Sequence, residues 1–218
     1  MQRTPEPELM DDPAQARAYA EADFDAPNTA FVSHLEARLD LPVVGRVLDL
    51  GCGPGDILAR LARRFPGWQL VGLDGSSAML AHAAVATAPY AGRVRLAVGL
   101  VPEGLPEAAP FDLILSNSLL HHLHAPEGLW RMIRRLGRPG AAVFVADLLR
   151  PADEAAASAI VSAYSGDEPE ILRRDFYNSL LAAFSVEEVR AQVEEAGLGA
   201  FHVEPVSDRH LVAYGHLP

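Results

Sequence analysis

The stretch from Arg46 to Asp74, RVLDLGCGPGDILARLARRFPGWQLVGLD, constrains the fold more than any other part of the chain. Val47 to Leu50 form an apolar run short enough for a buried strand. A glycine-rich turn follows, Gly51-Cys52-Gly53-Pro54-Gly55. Asp56 to Phe65 read as an amphipathic helix with Ile57, Leu58 and Leu61 on one face. A second apolar run, Gln69 to Leu73, ends in Asp74. Strand, tight turn, helix, strand and acid make a βαβ unit suited to a nucleotide-like ligand. The glycines let the backbone approach that ligand, and the helix start offers it free N–H groups. An acid closing the second strand accepts hydrogen bonds from ribose hydroxyls.

The alternation continues on the C-terminal side. Ser76 caps a helix to about Ala88, Val94 to Val98 read as a third strand, and a Pro- and Gly-rich loop spans Gly99 to Pro110. Phe111 to Leu115 form a fourth strand, Pro126 to Leu136 a helix stopped by Gly137, and Ala141 to Ala146 a fifth strand closed by Asp147. That rhythm predicts an α/β fold with a doubly wound parallel sheet. It then changes. Asp153 to Ala163 and Glu168 to Phe184 read as helices, a cap-like insertion over about 153–184, and Ser185 opens another helix through a capping box. Phe201 to Val206 and His210 to Tyr214 end the chain as an antiparallel hairpin, giving a mixed seven-stranded sheet. Ahead of the core, residues 1–12 read as a loosely attached tail. Helices follow from Pro13 to Ala20 and from Thr29 to Leu39, with a turn-like Asp23–Asn28 between them. Residues 1–43 are thus expected to form a tail and helical lid, and residues 44–218 the ligand-binding domain.

The charge excludes one class of partner. Acids outnumber bases 29 to 18 in the 218 residues, a formal charge of -11, whereas reading a nucleic-acid backbone requires Lys and Arg. Cys52 is the single cysteine, so no internal disulfide forms. The acidic N-terminus has no apolar core of a secretion signal, and no apolar run approaches a membrane span. The expectation is a cytoplasmic protein, monomer or homodimer, acting on a small molecule without nucleic-acid or membrane partners.

Four features together resemble the class I S-adenosylmethionine (SAM)-dependent methyltransferases. Val47 to Gly55, VLDLGCGPG, is similar to the family's first motif: its glycines run GxGxG, and Asp49 stands two positions before the first. Asp74 with Gly75-Ser76-Ser77-Ala78-Met79-Leu80 resembles the ribose-binding segment. FDLILSNSLLHH, Phe111 to His122, resembles the fourth-strand motif, and the closing hairpin separates this family from nicotinamide dehydrogenases. The resemblance implies a Rossmann-like sheet in the order 3-2-1-4-5-7-6, with SAM as methyl donor and S-adenosylhomocysteine as product. It implies that Gly51, Cys52, Gly53 and Gly55 lie against the methionine and ribose, with Asp49 steering the amino group. Asp74, Gly75 and Ser76 would hold the ribose, Met79 would cover the adenine, and Asn117 and Ser118 would approach the methionine. Many relatives carry an acid after strand three to read the adenine; here Val98-Gly99-Leu100-Val101 has none, which leaves Leu100 to stack on the base.

A sulfonium methyl is already activated, so the protein chiefly has to align the acceptor about 3 Å from it. A general base is needed only when the acceptor loses a proton. His122, His121 and Tyr177 are the catalytic candidates. For the acceptor, the candidates are Tyr19, Phe24 and Asn28 in the lid, Asp147 and Arg150 after strand five, Arg173, Arg174 and Asn178 beside Tyr177, and His210 in the hairpin. Eight histidines raise the question of a metal, but there is no HExxH and no Cys-His spacing, so none is expected. A non-catalytic SAM-binding regulator, or less readily an NAD(P)-dependent oxidoreductase, are the alternatives.

Overall fold

A computed structural model describes residues 1–7, 9, 11–105 and 110–218. The part of the Gly99–Pro110 loop at residues 106–109 lies outside them. Seven strands form one mixed sheet in the order β3-β2-β1-β4-β5-β7-β6, as expected. They are β1 (Gly45–Leu50), β2 (Trp68–Asp74), β3 (Val94–Val98), β4 (Phe111–Asn117), β5 (Gly137–Leu148), β6 (His202–Pro205) and β7 (His210–His216). The first five pair in parallel, and β7 joins β5 antiparallel, Leu148 opposite His210. The strand order reverses between β1 and β4, and open α/β sheets bind ligands at the carboxyl ends beside such a switch point.

Helices cover both faces because the buried strands are apolar on both. On one face α2 (Asp25–Arg38), α3 (Asp56–Arg64) and α4 (Ser77–Thr87) bury Phe31, Leu58, Leu61 and Ala83 against Val47, Leu70 and Phe144. On the other, α5 (Glu127–Leu136) and α8 (Val186–Glu195) bury Trp130, Ile133 and Val189 against Leu48, Leu50 and Val143. Neighbouring strand residues Val47 and Leu48 thus serve opposite layers. The helices α6 (Glu154–Ser165) and α7 (Glu170–Ala182) pack on each other around Ala157, Leu180 and Ala183, with Leu148 beneath. Among the described residues no helix is long and apolar enough to cross a membrane.

Three local expectations are corrected. Asp23–Asn28 is not a turn throughout: α2 begins at Asp25, because the Asp23 carboxylate accepts the Asp25 N–H at 2.9 Å and Pro27 is tolerated in a first helical turn. Strand β5 begins at Gly137 rather than Ala141: that glycine ends α5 as expected, but in an extended conformation (φ -80°, ψ 144°) that runs straight into the strand. The N-terminal tail is not loose. The Met1 ammonium donates to the Ala152 carbonyl, Thr4 N–H to that of Leu181, and Arg3 to those of Ala182, His121 and Leu123. Asp12 then caps α1 (Pro13–Glu21). The tail crosses the carboxyl edge of the sheet as a strap.

Candidate active site

The turn after β1 forms the floor of a cleft. Gly51, Gly53 and Gly55 all have positive φ, from 51° to 83°. At Gly55 a side chain is excluded twice, since a Cβ would also stand 2.9 Å from the Ala83 Cα. At Gly53 a Cβ would meet nothing within 4 Å, so the backbone there faces open space, the cradle a ligand needs. Asp74 closes β2 opposite: its Oδ2 accepts the Gly53 N–H and its Oδ1 the Ser76 N–H, both at 2.8 Å. Ser76 caps α4 by accepting the Met79 N–H, and Met79 is buried behind it. Gly75 is flanked by the Leu100 and Leu9 side chains, and Leu100 stays 55% exposed, an apolar surface free to meet a flat ring.

Asp49, on β1, is only 2% exposed. Burial, with the Asp74 charge adding to it, pushes its carboxyl up to about 7. A ligand cation at this spot would restore the ionised form, which is what the amino group of a bound methionine supplies. Cys52 is buried too, its thiol pushed well above the ordinary range, which makes it an inert packing group. Asn117 ends β4 at the wall of the cleft, and Ser118 beyond it has φ 54°, a strained conformation of the kind that collects at working sites.

Residues of α1, of α2 and of the link between them line another side of the cleft. Tyr19 and Phe24 line it with ring centroids 4.6 Å apart. Burial and the charges of Asp147 and Asp74 raise the Tyr19 hydroxyl to about 12, so it remains a hydrogen-bond donor. Asn28 donates to the Asp56 carboxylate at 2.7 Å, tying α2 to the start of α3. The enclosed volume is about 210 Å3, below the roughly 300–1,000 Å3 of complete small-molecule sites. At the end of β2, Asp11 accepts the Ser76 hydroxyl at 3.3 Å, and Leu9 covers Gly75.

Beyond Asn117 the chain makes a single 3-10 turn, Leu120–His122, that buries one histidine of the pair. The His121 Nδ1 lies 2.5 Å from the Asp147 Oδ1, and the His121 backbone N–H donates to the Asp147 Oδ2 at 3.1 Å. Burial alone would lower the His121 pKa, but the Asp147 carboxylate outweighs it and raises the group. Asp147 is depressed correspondingly, its own burial being overcome by His121. Asp147 thus favours the protonated form of His121, whose Nε2 is the outward end of the pair. His122 behaves oppositely: burial and the neighbouring imidazolium drive it down to about 3, so it stays neutral.

Several expected substrate contacts stand elsewhere. Asp147 faces inward, spent on His121 and the Leu148 N–H, so it orients a histidine rather than meeting a substrate. Arg173, Arg174 and Tyr177 line a separate open cleft between α6 and α7 that shares no residue with the first, and Asn178 is exposed. The opposite face of α7 turns inward instead: Asp175 accepts from Gln15 of α1, and Ser179 donates to Glu6. Arg150 pairs with Glu188 at 2.7 Å, yet its Nη1 is the one buried side-chain nitrogen or oxygen among the described residues without a partner. His210 meets the Ser207 hydroxyl and is lowered to about 4, chiefly by burial. Sequence reasoning missed Arg3, Glu6 and Ser179. The signal available was Pro5 and Pro7 flanking Glu6, which stiffen a tail that otherwise has no periodicity.

This arrangement has known counterparts. A family model described as a methyltransferase domain matches residues 48–143. Over that span, less than half of the chain, the core is similar to a methyltransferase domain. Its matched span runs from β1 into β5 and so includes the glycine turn, Asp74 and the His121–His122 segment. A trans-aconitate 2-methyltransferase of Acidovorax sp. (strain JS42) is 36% identical over 126 residues, 56% of this chain and 45% of that protein. The chain therefore aligns with under half the length of that curated relative. Among solved structures, a SAM-dependent methyltransferase from Aquifex aeolicus superposes with TM-score 0.69 at 18% identity, covering 95% of this chain and 99% of that one. Haemonchus contortus phosphoethanolamine N-methyltransferase 2, solved with S-adenosyl-L-methionine, gives TM-score 0.67 at 21% identity over 89% of this chain and 44% of that one. These likenesses establish the methyltransferase fold.

Proposed function

We propose that this methyltransferase domain moves the methyl group of SAM to a carboxylate oxygen of a small organic acid. The observation that carries the reading is the buried His121–Asp147 pair four residues past Asn117. With Asp147 favouring its protonated form, His121 can hold an anion through Nε2–H. A carboxylate acceptor is already ionised at neutral pH and asks for no base. SAM supplies the activated methyl: the oxygen–carbon bond forms as the carbon–sulfur bond breaks, leaving S-adenosylhomocysteine and a methyl ester. The chain's own contribution is alignment and charge. Asp49, Asp74 and the glycine turn fix the donor, Tyr19 and Phe24 close over it, and His121 with the unpartnered Arg150 nitrogen attracts the acid. The relative named for trans-aconitate, a tricarboxylate, supports the same acceptor class.

The direct test is incubation with SAM and a panel of di- and tricarboxylic acids beside amines and phenols, read by mass spectrometry. The expected product is an alkali-labile methyl ester. Methylation confined to amines or phenols overturns the acceptor class. SAM bound but transferred to nothing on the panel favours a regulatory binder.

Donor binding is also expected to depend on pH. Free Asp49 is neutral below about 7 and must ionise to meet the methionine ammonium. SAM affinity should therefore weaken as pH falls from 8 to 6 by up to about tenfold per pH unit, the limit for one proton. Calorimetry in buffers of different ionisation enthalpy should register proton release on binding. Asp49→Asn should flatten the profile; a steep profile in that variant excludes Asp49 as its source.

A further inference from the structure

Residues 1–7 add no strand or helix to the core, yet the molecule holds them firmly at the sheet's carboxyl edge. At the middle of the strap is Glu6, whose side chain is only 12% exposed. Its Oε1 accepts the Ser179 hydroxyl at 2.9 Å and stands 3.5 Å from His121 Nε2 and 3.4 Å from His122 Nδ1. Its backbone carbonyl meets His124 Nε2 at 2.8 Å. Burying an acid is costly, and burial does raise the Glu6 pKa despite His121 and Ser179 pulling it back. The seat that receives it has the donors a carboxylate wants: a hydroxyl, the outward nitrogen of an imidazolium, and a second imidazole. Next to it, the Arg3 guanidinium lies over the Phe184 ring at 4.0 Å, and the Phe184 carbonyl accepts the Arg150 N–H. Withdrawal of the strap would empty the seat and remove Arg3, leaving the cationic groups His121 and Arg150 exposed to an incoming anion.

We propose that the seat formed by Ser179, His121 and His122 is the carboxylate subsite of the acceptor, and that the Glu6 side chain is its intramolecular occupant, displaced when the acid binds. The proposal rests on the carboxylate-acceptor reading above. An occupant on the same chain competes at an effective concentration that can reach millimolar. The acceptor's apparent affinity is reduced by the fraction of molecules in which the seat is open. Glu6 is thus a specificity device as well: only a ligand that offers a carboxylate to the same donors recovers what is lost on its departure.

The Glu6, His121 and His122 side chains also place potential ligand atoms within 4.8 Å of one another, close enough for a divalent cation. In that case Glu6 would be a ligand, and removing it would weaken the site. The two readings predict opposite results. Isothermal titration of the full chain with glutarate, in saturating S-adenosylhomocysteine, compares the unaltered protein with Glu6→Ala. The expected result is at least tenfold tighter glutarate binding in Glu6→Ala, reversed when Ser179→Ala is added. Equal or weaker binding in Glu6→Ala overturns the proposal. So does a Zn2+ isotherm in the unaltered chain that Glu6→Ala abolishes. The S-adenosylhomocysteine isotherm in the same samples tests the donor reading separately. Tight glutarate binding without ester formation from SAM supports the seat while overturning the carboxylate-acceptor reaction.

Discussion

Asp74→Ala should weaken SAM binding by about 1–3 kcal/mol, roughly fivefold to 150-fold. The carboxylate has two tasks. It accepts the Gly53 and Ser76 backbone N–H groups, which holds the glycine turn against the end of β2. Its remaining lone pairs point to the place where ribose hydroxyls would lie. Alanine removes both: the Gly53 N–H borders open space and turns to water, while the Ser76 N–H, in a residue only 1% exposed, loses its acceptor at a cost to stability of about 1–3 kcal/mol. Calorimetric affinity and the urea midpoint without ligand, measured on the same variant, separate the lost ribose contacts from the lost backbone contacts. Asp74→Asn should fall between, because its amide nitrogen would face a backbone N–H. Unchanged SAM affinity in Asp74→Ala removes this residue from the donor site.

The grouping of the glycine turn, Asp74 and Asn117 was legible in the sequence because each part is local. Gly51 to Gly55, Asp74 and Asn117 lie at the ends of strands that periodicity locates, and a parallel sheet brings strand ends together by topology. The same holds for the sheet order, which follows from alternating elements and a final hairpin. The surroundings of the expected acceptor residues were not legible, for a different reason in each place. The polar run Arg173–Asn178 attracts attention by composition, yet helical spacing divides it between two faces: Arg173, Arg174 and Tyr177 turn to α6, while Asp175 and Ser179 turn to α1 and the strap. Asp147 looks like a substrate contact until the 3-10 turn at Leu120–His122 places the His121 ring against it. Glu6 is 115 residues from His121, in a segment with no repeating pattern, and its position depends on Arg3 meeting three carbonyls from two distant loops. Such contacts have no local signature. They exist only once the sheet edge has been built.

Asp147→Asn should be the most damaging conservative change in the molecule. Removing one partner of a buried charge pair costs about 3–5 kcal/mol, and the lower end applies because an imidazole can shed its proton. The amide oxygen can replace Oδ1, which serves His121 Nδ1 and the Leu148 N–H. The amide nitrogen then takes the place of Oδ2 and faces the His121 backbone N–H, donor against donor. The pH dependence gives the effect a signature. His121 is raised in the folded chain, so its share of the stability is complete below the ordinary histidine value of about 6.5 and is lost as pH rises through the raised value. Asp147 is depressed, so its share is complete above about 3.9 and is lost as pH falls through the lowered value. The stability gap between the unaltered chain and Asp147→Asn should therefore be widest from about pH 4 to 6.5 and should narrow on both sides. Urea unfolding at several pH values measures it; a gap independent of pH would mean that the pair is not ionised. The same variant should lose turnover of carboxylic acids far more than SAM affinity, because its neutral His121 no longer offers a charge to the acceptor. Equal losses of both would show that Asp147 supports the whole edge of the sheet rather than the charge at His121.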